Sequence, residues 1–127
     1  MLFDTDVLIW IQRGNEAAAK MFQSALDRYL SVQSYMELLQ CAPSKKHLKI
    51  MKDFLREFEV QLLPFNENIG HRAAIYIEEY SLASGIRAGD AIIAATAIEF
   101  DQILVTANAK HFKPIATLHL KILHPHK

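Results

Sequence analysis

Short apolar runs alternate with longer stretches of helical periodicity from one end of this chain to the other, and that alternation restricts the fold more than any other feature. Met1-Leu2-Phe3 is a very short strand that stops at Asp4. Residues 7–12 form a helical turn closed by Gly14, and Asn15 caps a helix carrying Ala18, Phe22 and Leu26. A second strand is expected over 29–33. Ser34 would then cap a helix with Leu38 and Leu39, with Glu37 in its first turn, until Pro43 ends it. Ser44 caps an amphipathic helix running to about residue 58, with Leu48, Met51, Phe54, Leu55 and Phe58 on one face. A third strand spans 60–63, and a long helix runs from Asn66 to Gly85. Gly89-Asp90 opens a helix at 91–100 that is apolar nearly all round, so it should be buried on every side. Strands at 102–106 and 120–123 complete the pattern. Strand and helix taking turns throughout predicts an α/β fold, with a mostly parallel sheet covered on both faces.

The 127 residues suit one domain, over 1–127, without linkers or internal repeats. No apolar run approaches the roughly 20 residues a membrane span needs. The first residues carry no basic stretch and no long apolar core, so no signal peptide is expected. Cys41, alone, has no internal disulfide partner, which suits a reducing, cytoplasmic setting. Net charge is zero with neutral histidines. That argues against coating nucleic acid through bulk positive charge, though not against a local grip on RNA. Basic residues do gather at Lys45, Lys46, Lys49 and Lys52, which fit the exposed face of an amphipathic helix, and toward the C-terminus.

In an open parallel sheet, sites form beyond the carboxyl ends of the strands. Asp4 ends the first strand, Thr106 ends the fourth, and Asn108 follows it. Glu37 and Asp90 each lie in a first helical turn by this reading. Four distant segments thus offer carboxylates or an amide to one sheet edge. Clustered carboxylates repel one another, and a hard cation with a preference for oxygen offsets that repulsion. Such an ion activates water for phosphodiester hydrolysis. Each residue also has a plain structural role open to it. Asp4 and Asp90 serve as caps, Glu37 completes a capping box with Ser34, Asn108 is a turn residue, and Asp6 caps the 7–12 helix. The set, rather than any member, points to metal chemistry. No histidine pair has zinc-site spacing, no glycine-rich phosphate loop is present, and no nucleophile elbow occurs.

Four blocks carry a resemblance. Asp4-Thr5-Asp6-Val7-Leu8-Ile9, Ser34-Tyr35-Met36-Glu37-Leu38, Ala88-Gly89-Asp90-Ala91-Ile92-Ile93-Ala94-Ala95 and Leu104-Val105-Thr106-Ala107-Asn108-Ala109-Lys110-His111-Phe112 resemble, in order and spacing, the blocks of PIN-domain nucleases, particularly the VapC toxin type. The resemblance implies a three-layer PIN-like domain with a central, mostly parallel sheet flanked by helices. It implies Mg²⁺- or Mn²⁺-dependent RNA cleavage, with Asp4, Glu37 and Asp90 as the first three acids and metal ligands. Asn108 falls at the fourth position, which is Asp or Asn in the family, and Thr106 matches a hydroxyl residue of the cluster. Position 6, most often Asn or Ser in the family, is Asp6 here. A homodimer and a cognate antitoxin are implied too, with Trp10, Ile11 and Phe22 offering part of an antitoxin groove.

The leading expectation is therefore an endoribonuclease toxin. Two others compete: a catalytically silent PIN-like module for RNA binding or assembly, and a phosphodiesterase acting on DNA or a small nucleotide. Intact acids at 4, 37 and 90 favour the first.

Overall fold

A computed structural model describes residues 1–126. Five strands, β1 (Leu2–Phe3), β2 (Tyr29–Ser31), β3 (Gln61–Leu63), β4 (Leu104–Thr106) and β5 (Leu120–Ile122), form one sheet in the order β3-β2-β1-β4-β5. Every neighbouring pair is parallel. The chain is thus α/β, with helices between strands because parallel neighbours need crossover connections.

Alternation along each strand builds two cores. Leu2 and Leu104 face one side of the sheet, and Phe3 and Val105 face the other. On the first side pack α5 (Glu67–Ser84), α6 (Ala88–Glu99) and the short α7 (Ala109–Phe112). On the second pack α1 (Thr5–Gln12), α2 (Glu16–Ser24), α3 (Val32–Cys41) and α4 (Lys45–Glu57). The expected all-round burial of the helix at 91–100 is largely what is found, since Ala91, Ile93, Ala94, Ala95, Thr96 and Ala97 are all buried. Burying Ile93 alone contributes roughly 1.5–3 kcal/mol. The hydroxyl of Thr96 donates to the Ile92 carbonyl at 2.7 Å, which lets a polar residue sit inside.

The caps at Asn15, Ser44 and Asn66 form as the sequence predicts, each side chain accepting from a backbone N–H three residues on. Gly85 closes α5 in the left-handed region at φ 73°, which favours glycine. Several boundaries differ from expectation: the strands expected at 29–33 and 102–106 are shorter, and the helix expected at 91–100 starts at Ala88. Helix α1 begins at Thr5 with Asp4 as its cap. Helix α2 ends at Ser24, leaving Leu26 fully exposed. Helix α3 begins at Val32, because Ser31 rather than Ser34 accepts the N-terminal N–H. The Ser34 hydroxyl is consequently buried with no partner among the described residues, and the expected Ser34–Glu37 capping box does not form. No helix among the described residues is long and apolar enough to cross a membrane.

Candidate active site

Strands β1 and β4 are the central neighbours, and the sheet grows outward from them in opposite directions, through β2 and β3 or through β5. Their carboxyl ends are therefore the switch point where an open parallel sheet leaves a crevice. Asp4 stands there. Its backbone N–H continues the ladder to the Val105 carbonyl at 2.9 Å. One carboxylate oxygen accepts from the Thr5 N–H at 2.8 Å, and the other accepts from the Thr106 hydroxyl at 2.7 Å. The Thr106 oxygen in turn accepts from the Asn108 N–H at 3.0 Å. A three-member relay thus fixes Asp4 while leaving it buried.

Asp6 is in the first turn of α1, not at its cap. Its carboxylate reaches across to β4, where Oδ2 accepts from the Ala107 N–H at 3.1 Å. Oδ1 is buried with no hydrogen-bond partner among the described residues.

Glu37 comes from α3, and one of its oxygens accepts from the Thr5 hydroxyl at 2.5 Å. The other lies against Gly89, where a Cβ would stand 3.1 Å from it and 3.1 Å from the Gln33 amide nitrogen. Glycine immediately before Asp90 is what lets α6 approach α3 this closely. Asp90, in the first turn of α6, accepts from the Arg87 N–H at 3.3 Å and lies 3.0 Å from Nδ1 of His111. The Asn108 amide is 3.1 Å from the same ring nitrogen.

Asp4, Thr5, Asp6, Glu37, Asp90 and Asn108 line one open cleft of about 380 Å³, together with Ile9, Gln40 and Cys41. Thr106 lies beneath it, fully buried. All five residues singled out from the sequence therefore meet at one place. Thr5 and His111 are the two side chains that sequence reasoning did not pick out as site residues. Thr5 sits beside the first acid. The three-residue step from Asn108 to His111 is one helical turn, a signal that a short helix there would have made visible.

Among the described residues, the lining includes four carboxylates and no lysine or arginine. Burial pushes the Asp4 carboxyl up to about 8, with the charges of Asp6 and Asp90 adding to the effect and the Thr106 and Thr5 hydrogen bonds opposing it. Asp6 is raised as well, chiefly by burial. These two neighbouring acids titrate together rather than singly. Uncompensated negative charge at low dielectric, with a buried unpartnered oxygen on Asp6, fits a hard cation with oxygen ligands. As placed, no three His, Cys, Asp or Glu side chains among the described residues are grouped to hold an ion.

The family model described as PIN domain matches residues 1–118. No curated protein matches the chain. Among solved structures, a toxin-antitoxin complex from Klebsiella pneumoniae is similar at 25% identity, covering 99% of this chain and 98% of that one, with a TM-score of 0.76. The structure of FitAB bound to IR36 DNA fragment is similar at 26% identity, covering 99% of both chains, with a TM-score of 0.78. VapBC2 from Rickettsia felis, bound to a DNA fragment from the promoter, shares the fold at 21% identity, covering 97% of this chain and 98% of that one, with a TM-score of 0.79.

Proposed function

Because this chain belongs to the PIN-domain family, we propose that it is a metal-dependent endoribonuclease, the toxin of a type II toxin–antitoxin pair, working in the cytoplasm as a homodimer of one PIN-like domain over 1–127. The observation that carries the reading is the meeting of Asp4, Glu37 and Asp90 on a single cleft whose lining, among the described residues, holds no lysine or arginine to balance them. Asp4 and Asp90 hold Mg²⁺ or Mn²⁺, and Glu37 completes the pocket. When bound, such an ion activates water and offsets charge on the phosphate. Thr106 keeps Asp4 aimed by donating to it, and Thr5 does the same for Glu37. Asn108, exposed at the rim, offers its amide to the ion or to a phosphate oxygen. Asp6 adds a fourth carboxylate where the family usually has a neutral residue.

Support for an antitoxin partner comes from the similarity to a toxin-antitoxin complex from Klebsiella pneumoniae and from a second feature of this chain. An apolar groove of about 390 Å³ runs beside the acidic cleft, lined by Leu8, Ile11, Leu38, Ile50, Met51 and Phe54 among others. Cys41 lines both depressions. A bound segment with apolar side chains in the groove could carry a cationic one past Cys41 to the acids. Of the three residues expected to build such a groove, Ile11 lines it. Phe22 is core, stacked on Phe54 at 5.5 Å, and Trp10 packs edge-on against His126 at 5.0 Å.

The test is RNA cleavage by purified protein with Mg²⁺ or Mn²⁺. Asp4→Asn and Asp90→Asn should each abolish cleavage and relieve growth inhibition while circular dichroism stays native. A wild type that cuts no RNA with either ion, and binds no Mn²⁺ by calorimetry, would instead favour a silent binding module. Cleavage confined to DNA or a small nucleotide would move the substrate class.

A further inference from the structure

Asp90 differs from the other cleft acids in what holds it. Asp4 has a backbone N–H and a buried hydroxyl at 2.8 and 2.7 Å. Asp90 has one long backbone contact, the Arg87 N–H at 3.3 Å. Its only short contact among the described residues is the His111 ring, at 3.0 Å. That ring is not loosely placed. His111 lies on α7 beside Phe112, which is fully buried and ties the turn to the core beneath α5 and α6. The ring itself is three-quarters buried, and its Nε2 edge faces Gly85, the residue that closes α5.

From this geometry we infer that His111 is a positioning residue, whose Nδ1–H aims Asp90 into the cleft and couples it to Asn108. The inference rests on the metal-dependent reading given above. An ionised carboxylate only accepts hydrogen bonds, so the ring proton belongs on Nδ1, facing Oδ2. One Asp90 oxygen is thereby occupied, which leaves Oδ1 for a ligand. The Asn108 amide meets the same nitrogen at 3.1 Å, and half a turn about its last bond presents oxygen to that proton. One ring thus spans the third acid and the fourth position, which lie 18 residues apart in sequence. Histidine and carboxylate partners of this kind, one shell out from an ion, set the direction of the ligand's lone pairs.

The experiment is Mn²⁺ calorimetry at fixed pH on the full chain. His111→Leu keeps the bulk and removes the donor, while His111→Asn returns an N–H at the Nδ1 position. Expected is a loss of about 10–100-fold in Mn²⁺ affinity for His111→Leu. His111→Asn should recover most of it, and the melting temperature of both metal-free variants should stay close to wild type. Adding His111→Leu to Asp90→Asn should cost nothing further, because the histidine acts through that carboxylate. Should His111→Leu fail to fold, His111→Ala carries the same comparison. Wild-type affinity in His111→Leu, or equal loss in His111→Asn, overturns the inference alone. Absence of any Mn²⁺ site in the wild type overturns the metal reading and this inference with it.

Discussion

Asp4 and Glu37 stand in one cleft but are held in opposite ways. Asp4 is clamped at the end of a central strand by a backbone N–H and a buried hydroxyl, at 6% exposure. Glu37 rides on a helix, half-buried, held by the Thr5 hydroxyl and by the space Gly89 leaves. The strand-borne half is rigid and electrostatically stressed. The helix-borne half is relaxed and depends on how two helices approach. A site built this way stores its repulsion where the backbone can bear it, and keeps its adjustable ligand where motion is cheap.

The largest expected consequence is a pH dependence carried by the stressed half. Burial raises both members of the Asp4–Asp6 pair above the ordinary carboxylate value of 3.8 of the unfolded chain, Asp4 to about 8. Between those values the folded state binds more protons, so stability falls as pH rises through the window and is highest below it. For metal-free protein the loss is read as a falling melting temperature between pH 4 and pH 8. Asp4→Asn should lessen that slope, with buried Asp6 keeping part of it, and raise stability at pH 8 while destroying cleavage. A melting temperature that climbs with pH in the metal-free wild type would break the contrast.

Next in size is Thr106→Val. It keeps the shape but removes the donor to Asp4 and strands the Asn108 N–H. A buried acceptor left without its partner costs about 1–3 kcal/mol. Urea unfolding measures this, and an unchanged midpoint would show that the relay does not stabilise Asp4.

The same contrast governs what could be foreseen. The strand-borne half was legible because its placement is local: Asp4 follows an apolar run, Thr106 ends another, and parallel pairing brings both to one edge. The five strands and the all-round apolar helix were legible for the same reason, through periodicity. The helix-borne half was legible in its residues but not in its supports. Ser31 and Ser34 are both good caps three residues apart, and only the length of β2 decides between them. Choosing Ser34 put Glu37 in a first turn and suggested a capping box, when its oxygen is bound by Thr5. Asp6 falls inside the first turn rather than at the cap for a parallel reason, since α1 starts two residues earlier than its apolar run. His111 needed a four-residue helix that periodicity cannot detect. Contacts between distant side chains are fixed by helix phase and packing, and a single sequence carries little of either.

Gly89→Ala probes the relaxed half without touching an acid. Alanine in a helix is favoured over glycine by up to about 1 kcal/mol, so the fold should hold or gain. The new methyl, however, meets Glu37 and Gln33 at 3.1 Å, and both are flexible side-chain ends that can swing away. Cleavage should fall roughly tenfold, equal to about 1.4 kcal/mol in the barrier, with no drop in melting temperature. Full activity would mean that the position of Glu37 is not set by this approach.

The smallest effect belongs to Thr5→Val, the counterpart of Thr106→Val in the relaxed half. Both substitutions delete a hydroxyl that donates to a cleft carboxylate. Thr106 leaves behind a buried acceptor and a stranded backbone N–H, whereas Glu37 is only half-buried and can turn toward water. The cost of losing the Thr5 hydroxyl should therefore stay near that of one ordinary hydrogen bond, about 0.5–1.5 kcal/mol. Measured side by side in urea, Thr106→Val should lose more than Thr5→Val. Equal losses would mean that the two acids are held with the same stiffness, and that the division of the cleft into a clamped half and an adjustable half is wrong.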